Sequence, residues 1–226
     1  MRTERFDFPN PRGQTLTASL QQPAGESGSY ALFAHCFTCS KESRAARWIS
    51  DALAARGIGV LRFDFTGLGS SEGEFANTDF SSNIDDLVAA ADHLRISRRA
   101  PALLVGHSLG GAAVLAAAAR IPEARAVVTI GAPSDPSHVT NLFGDQIAAI
   151  REHGEGEVTV GGRNFRSRRD FLDDVAEQRL LDLLAGMRKA LLIMHAPTDQ
   201  VVSIDNASSI FAAARHPKSF VSLDSA

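Results

Sequence analysis

Short apolar runs alternate with segments of helical spacing along most of the chain. The run at 102–105 has the unbroken hydrophobicity of a strand covered on both faces, and further short strand-like runs lie at 30–34, 59–65, 126–130, 190–194 and 219–223. Between the earlier runs, apolar residues recur every three or four positions at 43–56, 81–94 and 112–119, which predicts helices. Strands alternating with helices predict an α/β fold with a mainly parallel, twisted sheet and helices on both faces.

Two segments depart from this alternation. Residues 5–8 and 15–20 alternate apolar and polar positions around the turn signal at 10–13, which predicts a leading antiparallel hairpin. Residues 134–186 are rich in charge and lack the next apolar run, so we expect a small, cap-like insertion after the sixth strand. Within it, 157–165 predict a hairpin that turns at Gly161 and Gly162. Such an insertion can roof a site or be a surface elaboration, and the sequence leaves both open.

Composition limits the classes of function. The 226 residues are enough for one domain, 1–226, with a sizeable core. A net charge of −3 argues against a nucleic-acid partner. No apolar run approaches the ~18 residues of a membrane span, and the charged amino terminus is not followed by an apolar core. Two cysteines do not form a secreted disulfide framework. We therefore expect a cytoplasmic location, whereas oligomeric state is beyond the sequence.

The chemistry centres on Ser108, which lies between an apolar run and an alanine-rich helical segment. The flanking residues read Gly106-His107-Ser108-Leu109-Gly110. A strand, a tight turn and a helix are predicted here, with Gly106 and Gly110 needed because a Cβ would collide with the neighbouring strand or helix. Ser108 is then a nucleophile held above the sheet edge, and the free N–H of Leu109 at the helix start can bind an oxyanion. The alternative is a chance Gly-x-Ser-x-Gly in a loop.

With this turn, the leading hairpin and the strand order together, the chain resembles the α/β-hydrolase superfamily. Residues 32–38 match a strand that ends in the family's His-Gly-x-x turn, and the match implies that the Phe37 N–H is the second oxyanion donor. Cys36 stands where the family has glycine. Residues 64–71 resemble the family's Asp-x-x-Gly-x-Gly-x-Ser loop. A dinucleotide site is excluded there, since no third glycine follows Gly67 and Gly69 at the required spacing, and we expect no cofactor.

A serine nucleophile needs a histidine held by a carboxylate. Asp199 is the chosen acid, because it follows the strand at 190–194 in a turn that resembles the family's His-x-x-x-Asp-x-x-Val. The chain order of Ser before Asp also fits. The alternative is that Asp199 only caps the helix near Ser203, and Asp135 is the reserve acid.

Cys36 and Cys39 form a C-x-x-C pattern. Two cysteines cannot complete a structural zinc site, so no metal is expected. Small packed thiols beside the turn are the preferred interpretation. A redox pair is the alternative, and its oxidation would then distort the turn that carries Phe37 and slow hydrolysis.

Residues 34–41, 61–69 and 216–224 are similar to the hydrolase half of proteins that fuse an α/β-hydrolase to a C-terminal OsmC-type domain. That resemblance implies an OsmC-type partner associated with peroxide reduction. In those proteins the catalytic histidine follows the last strand in a pattern like Leu-Asp-x-Ala-Asp-His, whose beginning matches 223–226. We therefore expect the base and a terminal helix to lie beyond this chain. None of the seven histidines in the chain is expected to replace this base. His93, for example, is predicted to lie on the exposed side of a helix.

Two functions from different classes remain. The first is a carboxylesterase-like serine hydrolase acting on a small acyl or ester substrate, with Ser108, Asp199 and the N–H groups of Phe37 and Leu109. This fragment would be weakly active or inactive. The second is a catalytically silent module with the same fold that binds or docks a partner such as the OsmC-type domain.

Overall fold

An eight-stranded sheet runs through the computed structural model, which describes residues 1–160 and 162–224. Its order is β1-β2-β4-β3-β5-β6-β9-β10, and β7 and β8 form a separate hairpin. The strands are β1 (Arg2–Pro9), β2 (Thr15–Gln22), β3 (Ser29–Ala34), β4 (Ile58–Phe63), β5 (Leu103–His107), β6 (Ala126–Ile130), β7 (Glu155–Val160), β8 (Arg163–Arg168), β9 (Ala190–His195) and β10 (Lys218–Ser222).

Strand directions confirm the predicted sheet. β1 pairs antiparallel with β2, and β2 pairs antiparallel with β4. The pairs from β4 through β3, β5, β6 and β9 to β10 are all parallel. In a parallel sheet the carboxyl ends of the strands share one edge, so the segments after β3, β5 and β9 are brought together there.

Helices follow the predicted spacing with small shifts at their ends. They are α1 (Arg44–Ala54), α2 (Phe80–Ser97), α3 (Leu109–Ala117), α4 (Gln146–His153), α5 (Arg169–Glu177), α6 (Leu180–Gly186) and α7 (Asp205–Ala213). Asp79 caps α2 through a reciprocal pair of hydrogen bonds with Ser82. α3 begins three residues before its predicted start, because its first turn is the two-glycine segment that packs on the sheet.

The two faces of the sheet are covered unequally. Leu104, Val127 and Leu191 are buried on the face that packs against α2, α3 and the later helices. On the α1 face, Phe33, Val60 and Val105 pack with Ala46 in a smaller cluster. Neighbouring residues on this face of β6, β9 and β10 are only partly buried or exposed: Val128, Ile130, Leu192, Met194 and Val221.

The insertion predicted at about 134–186 is present and has more structure than the sequence indicated. A 3₁₀ helix at Pro136–Phe143 and α4 precede the β7–β8 hairpin, and α5 and α6 follow it. The predicted glycine turn is described only at Gly162, whose φ is +75°. Gly161, Ser225 and Ala226 lie outside the described residues. None of the helices in the described ranges is long and apolar enough to cross a bilayer.

Candidate active site

Ser108 occupies a strained turn between β5 and α3. Its φ is +53°, and it is the one non-glycine residue with positive φ among residues 1–160 and 162–224. The turn is fixed on both sides, because the Ser108 N–H donates to the Ile130 carbonyl at 2.9 Å and the Ser108 carbonyl accepts from the Gly111 N–H at 2.8 Å. Strain of this kind persists where the surroundings impose it. The half-buried hydroxyl makes no hydrogen bond to the described part of the chain.

The glycines around Ser108 are required by close backbone contacts. A Cβ on Gly106 would lie 2.3 Å from the Gly110 carbonyl oxygen, and a Cβ on Gly110 would lie 2.3 Å from the His35 carbonyl oxygen. These distances are far shorter than any van der Waals contact. This turn around Ser108, residues 106–110, is called the elbow below; it packs directly against the chain that leaves β3, as the sequence predicted for the two glycines.

The turn after β3 presents a second free donor beside the elbow. The N–H groups of Phe37 and Leu109 donate no hydrogen bond within the described residues. Cys36, in the place of the family's glycine, does not need positive φ, so its Cβ is accommodated. The Cys39 N–H donates to the Cys36 carbonyl at 3.1 Å and closes the turn.

Cys36 and Cys39 are joined by a disulfide, with their Cα atoms 5.2 Å apart. The preferred interpretation of two packed free thiols is therefore wrong for this structure. The three-residue spacing allowed the bond because the 36–39 turn folds back on itself, which brings the two side chains together. In the bonded turn the Phe37 N–H donates no hydrogen bond within the described residues, so it is available to an oxyanion.

Asp199 lies in the turn after β9 with one carboxylate oxygen fixed and the other free. Oδ1 accepts the N–H groups of Val201 at 2.8 Å and Val202 at 2.9 Å. Oδ2 accepts no hydrogen bond from the described residues and lies 3.7 Å from His195 Nε2. The carboxylate is thereby oriented by its own turn, with an open acceptor. The reserve acid, Asp135, is exposed and caps the 3₁₀ helix through the Ser137 N–H at 2.9 Å.

Ser108, Asp199 and Phe37 border one open cleft of about 370 Å³. Leu109 is buried and does not line this cleft. The insertion contributes Leu142 and Val160 to the cleft walls. The insertion thus borders the site and is more than a distant surface elaboration.

No histidine among residues 1–160 and 162–224 hydrogen-bonds to both Ser108 and Asp199. His195 is fully buried, and its Nε2 pairs with the Val202 carbonyl at 2.7 Å. His138 Nε2 pairs with the Val201 carbonyl at 2.8 Å. His107 borders the cleft; burial lowers its pKa, and the Asp199 carboxylate offsets part of this shift.

The other histidines are engaged elsewhere or exposed. His35 is buried against the turn with Nδ1 2.7 Å from the Cys36 carbonyl, and burial lowers its pKa. His153 and His216 are exposed. His93 is half-buried rather than exposed, because the rings of Phe6 and Phe8 in β1 stack on it with centroids 4.6 and 5.1 Å away.

A buried ion pair joins the segment that follows the β3 turn to the loop after β4. Lys41 Nζ contacts Asp64 Oδ2 at 2.5 Å, and the Lys41 N–H donates to Asp64 Oδ1 at 2.7 Å. Asp64 also accepts the Ser70 N–H at 3.0 Å, and a Cβ on Gly69 would overlap its carboxylate. The loop after β4 is therefore wrapped around Asp64. Sequence analysis assigned this loop but missed Lys41, because nothing local to a lysine shows that it is buried.

Aromatic side chains tie the insertion to the same turn. The Phe37 ring contacts Phe75 at a centroid distance of 5.0 Å, Phe171 at 5.4 Å and Phe143 at 6.3 Å. Arg163 in β8 adds a hydrogen bond of 2.9 Å to the Thr38 carbonyl. Apart from the Phe37–Phe75 contact, these contacts join residues more than 100 positions apart, so periodicity could not reveal them. Within the described ranges no three His, Cys, Asp or Glu side chains gather as a metal site would require.

Comparison with known proteins places this geometry in context. A model of the alpha/beta hydrolase family matches residues 31–217. The mitochondrial palmitoyl-protein thioesterase ABHD10 of Rattus norvegicus is 30% identical over 207 residues, which cover 84% of this chain and 68% of the rat protein.

Solved structures of hydrolases have the same fold as this chain. The esterase domain of a Rhodothermus marinus protein is 49% identical with a TM-score of 0.81, and the match covers 100% of this chain and 89% of that one. Est1E from Butyrivibrio proteoclasticus, solved with ferulic acid bound, is 21% identical with a TM-score of 0.83, and the match covers 96% of this chain and 88% of Est1E. At that identity it shows the fold alone. The chain belongs to the alpha/beta hydrolase family.

Proposed function

We propose that this chain is the hydrolase domain of a serine enzyme that transfers the acyl group of an ester or thioester to water. The observation that carries the proposal is Ser108 at a φ of +53°, facing one cleft with Asp199 and beside two free backbone N–H groups. The esterase domain from Rhodothermus marinus and the rat thioesterase support this reaction class.

In the proposed reaction, Ser108 Oγ attacks the acyl carbonyl carbon while a histidine takes its proton. The oxyanion that forms accepts hydrogen bonds from the N–H groups of Phe37 and Leu109. Collapse of this intermediate expels the alcohol or thiol, which receives the proton from the histidine. Water then attacks the acyl-serine by the same route and releases the acid. Asp199 Oδ2 holds the histidine in the required tautomer.

We propose that this histidine lies beyond residue 226 of the full-length protein. Ser222 pairs with His195 at the end of β10, and the Leu223 N–H donates to the His195 carbonyl at 2.9 Å. Chain that continues from Asp224 therefore starts beside the turn that carries Asp199. The partly exposed apolar residues on the α1 face of β6 and β9 support a following helix that would cover them. Without the base, ~10³ to 10⁴-fold catalysis over water is expected by analogy with protease triads.

A fluorophosphonate probe tests the proposal on the full-length protein. We expect labelling that is lost in Ser108→Ala and strongly slowed in Asp199→Asn, while residues 1–226 alone react weakly. His138→Gln is the matched control, because His138 lies near Asp199 but bonds to the Val201 carbonyl. Labelling that persists in Ser108→Ala, or that is lost in His138→Gln, would contradict the assignment.

A catalytically silent binding module is the second candidate, supported by the absence of a suitably placed histidine in the described residues. Turnover of short aryl esters by the full-length protein, lost in Asp199→Asn, excludes it. From the motif resemblance and composition alone, we further propose an OsmC-type partner domain and a cytoplasmic location. Sequencing of the gene beyond codon 226 and fractionation of cells test these two points.

A further inference from the structure

Phe37 borders two spaces of different size. On one side is the open cleft with Ser108 and Asp199. On the other is a small pocket, of about 20 Å³, lined mostly by apolar side chains that include Phe65, Phe75 and Leu109. Among residues 1–160 and 162–224, Phe37 is the one that lines both spaces.

The small apolar pocket lies next to the reacting groups. Leu109 and Gly110, in the first turn of α3, form part of its wall and directly follow Ser108. Ser108 and Phe37 also line the same cleft, so an acyl group bonded to Ser108 enters a space that Phe37 borders. The cavity has about 20 Å³ of free space, enough for about one water molecule. Its apolar walls favour methylene groups over water.

The insertion holds the ring in this position. Phe37 is 9% exposed, and it packs edge-on against Phe75 as well as against Phe143 and Phe171 of the insertion. The position of the Phe37 ring is thus fixed by contacts from two parts of the chain. A ring packed on three sides does not rotate away without moving its neighbours.

We propose that the Phe37 side chain is a specificity-determining residue that confines the acyl group to short chains. The inference rests on the proposed function, because it takes Ser108 as the acceptor of the acyl group. Shortening the side chain joins the small apolar pocket to the cleft and leaves the Phe37 backbone N–H in place. The joined space then receives the end of a longer acyl chain against Phe65 and Leu68.

Acyl-chain profiles of the full-length protein test the inference. We expect kcat/KM for p-nitrophenyl esters to fall from acetate and butyrate to octanoate in the wild type. Each methylene buried is worth about a fourfold factor, so Phe37→Ala should raise the octanoate-to-acetate ratio by about tenfold or more. Phe37→Leu should give an intermediate ratio and protects the test against poor folding of the alanine variant. An unchanged ratio in both variants, or a wild type that prefers octanoate, overturns the proposal.

Phe143→Ala is the matched control. It removes a ring from the same aromatic cluster, but Phe143 lines neither space. We expect lower stability with an unchanged chain-length ratio. A shift equal to that of Phe37→Ala would assign the effect to general loosening of the cluster and overturn the role of Phe37.

Direct binding separates failure of this inference from failure of the proposed function. If the wild type hydrolyses no ester, the proposed function fails. Calorimetric titration with octanoate then tests separately whether the Phe37 side chain limits binding of an eight-carbon chain. Binding of octanoate about tenfold tighter in Phe37→Ala than in the wild type supports the role of Phe37. Equal binding in the two proteins contradicts it.

Discussion

Gly110→Ala raises the stability of the protein if helix propensity dominates, and lowers it if the close packing of the elbow dominates. Gly110 lies in the first turn of α3, and alanine in place of glycine within a helix is worth about 1 kcal/mol of stabilisation. In the structure, however, the new Cβ would lie 2.3 Å from the His35 carbonyl oxygen and 2.6 Å from that of Ala34. Both contacts are with backbone, which cannot rotate aside. Relief therefore requires the elbow to move away from β3.

The magnitude follows from that displacement. Overpacking of this kind costs about 1–3 kcal/mol of unfolding free energy, which outweighs the gain in propensity. A shift of about 1 Å between Ser108 and the Phe37 N–H should also lower kcat/KM by roughly 10²-fold. We expect Gly110→Ala to be both less stable and less active than the wild type.

Urea denaturation and ester hydrolysis of the full-length protein provide the assay. Gly186→Ala is the control, because Gly186 ends α6 and a Cβ there meets no atom within 4 Å. It should be unchanged or up to about 1 kcal/mol more stable, with normal activity. If Gly110→Ala behaves like Gly186→Ala, the close contact between the elbow and β3 is not what positions Ser108.

Three further predictions concern a buried ion pair, the disulfide and a half-buried histidine. Lys41→Met should reduce the unfolding free energy in urea by about 3–5 kcal/mol, because it leaves the Asp64 carboxylate buried without its partner; a loss below 1 kcal/mol would mean that the pair is solvated. Reduction of the Cys36–Cys39 disulfide with dithiothreitol should slow ester hydrolysis by loosening the turn that carries the oxyanion donor, and equal rates in dithiothreitol and diamide would refute this. Burial lowers the pKa of His93, so below about pH 6.5 the unfolded chain takes up a proton that the folded protein does not, and stability falls as pH falls. His93→Phe should make the fall between pH 7 and pH 5 smaller, and an unchanged slope in urea titrations would contradict the effect.

The sequence predicted the parts of the fold that local patterns encode. Strand and helix periods placed the sheet, and the glycine spacing around Ser108 predicted the elbow, because only glycine avoids the backbone contacts found at Gly106 and Gly110. α4 was not predicted, since its eight residues have only Ile150 buried and so show little amphipathic pattern.

Long-range contacts were beyond the sequence for a physical reason. The pairing of Lys41 with Asp64, and of Phe37 with Phe143 and Phe171, depends on how separate loops meet after the sheet has formed. The same holds for His93, whose helix face is covered by aromatic residues of β1. Patterns within one element cannot report what another element places against it.

The most direct test of the central claim is identification of the residue that a fluorophosphonate labels in the full-length protein. Labelled protein is digested, and the modified peptide is located by mass spectrometry. The account predicts one adduct, on Ser108, that forms much more slowly in Asp199→Asn. An adduct on another residue, or no adduct in a protein that still hydrolyses esters, would contradict the assignment of Ser108 as the nucleophile.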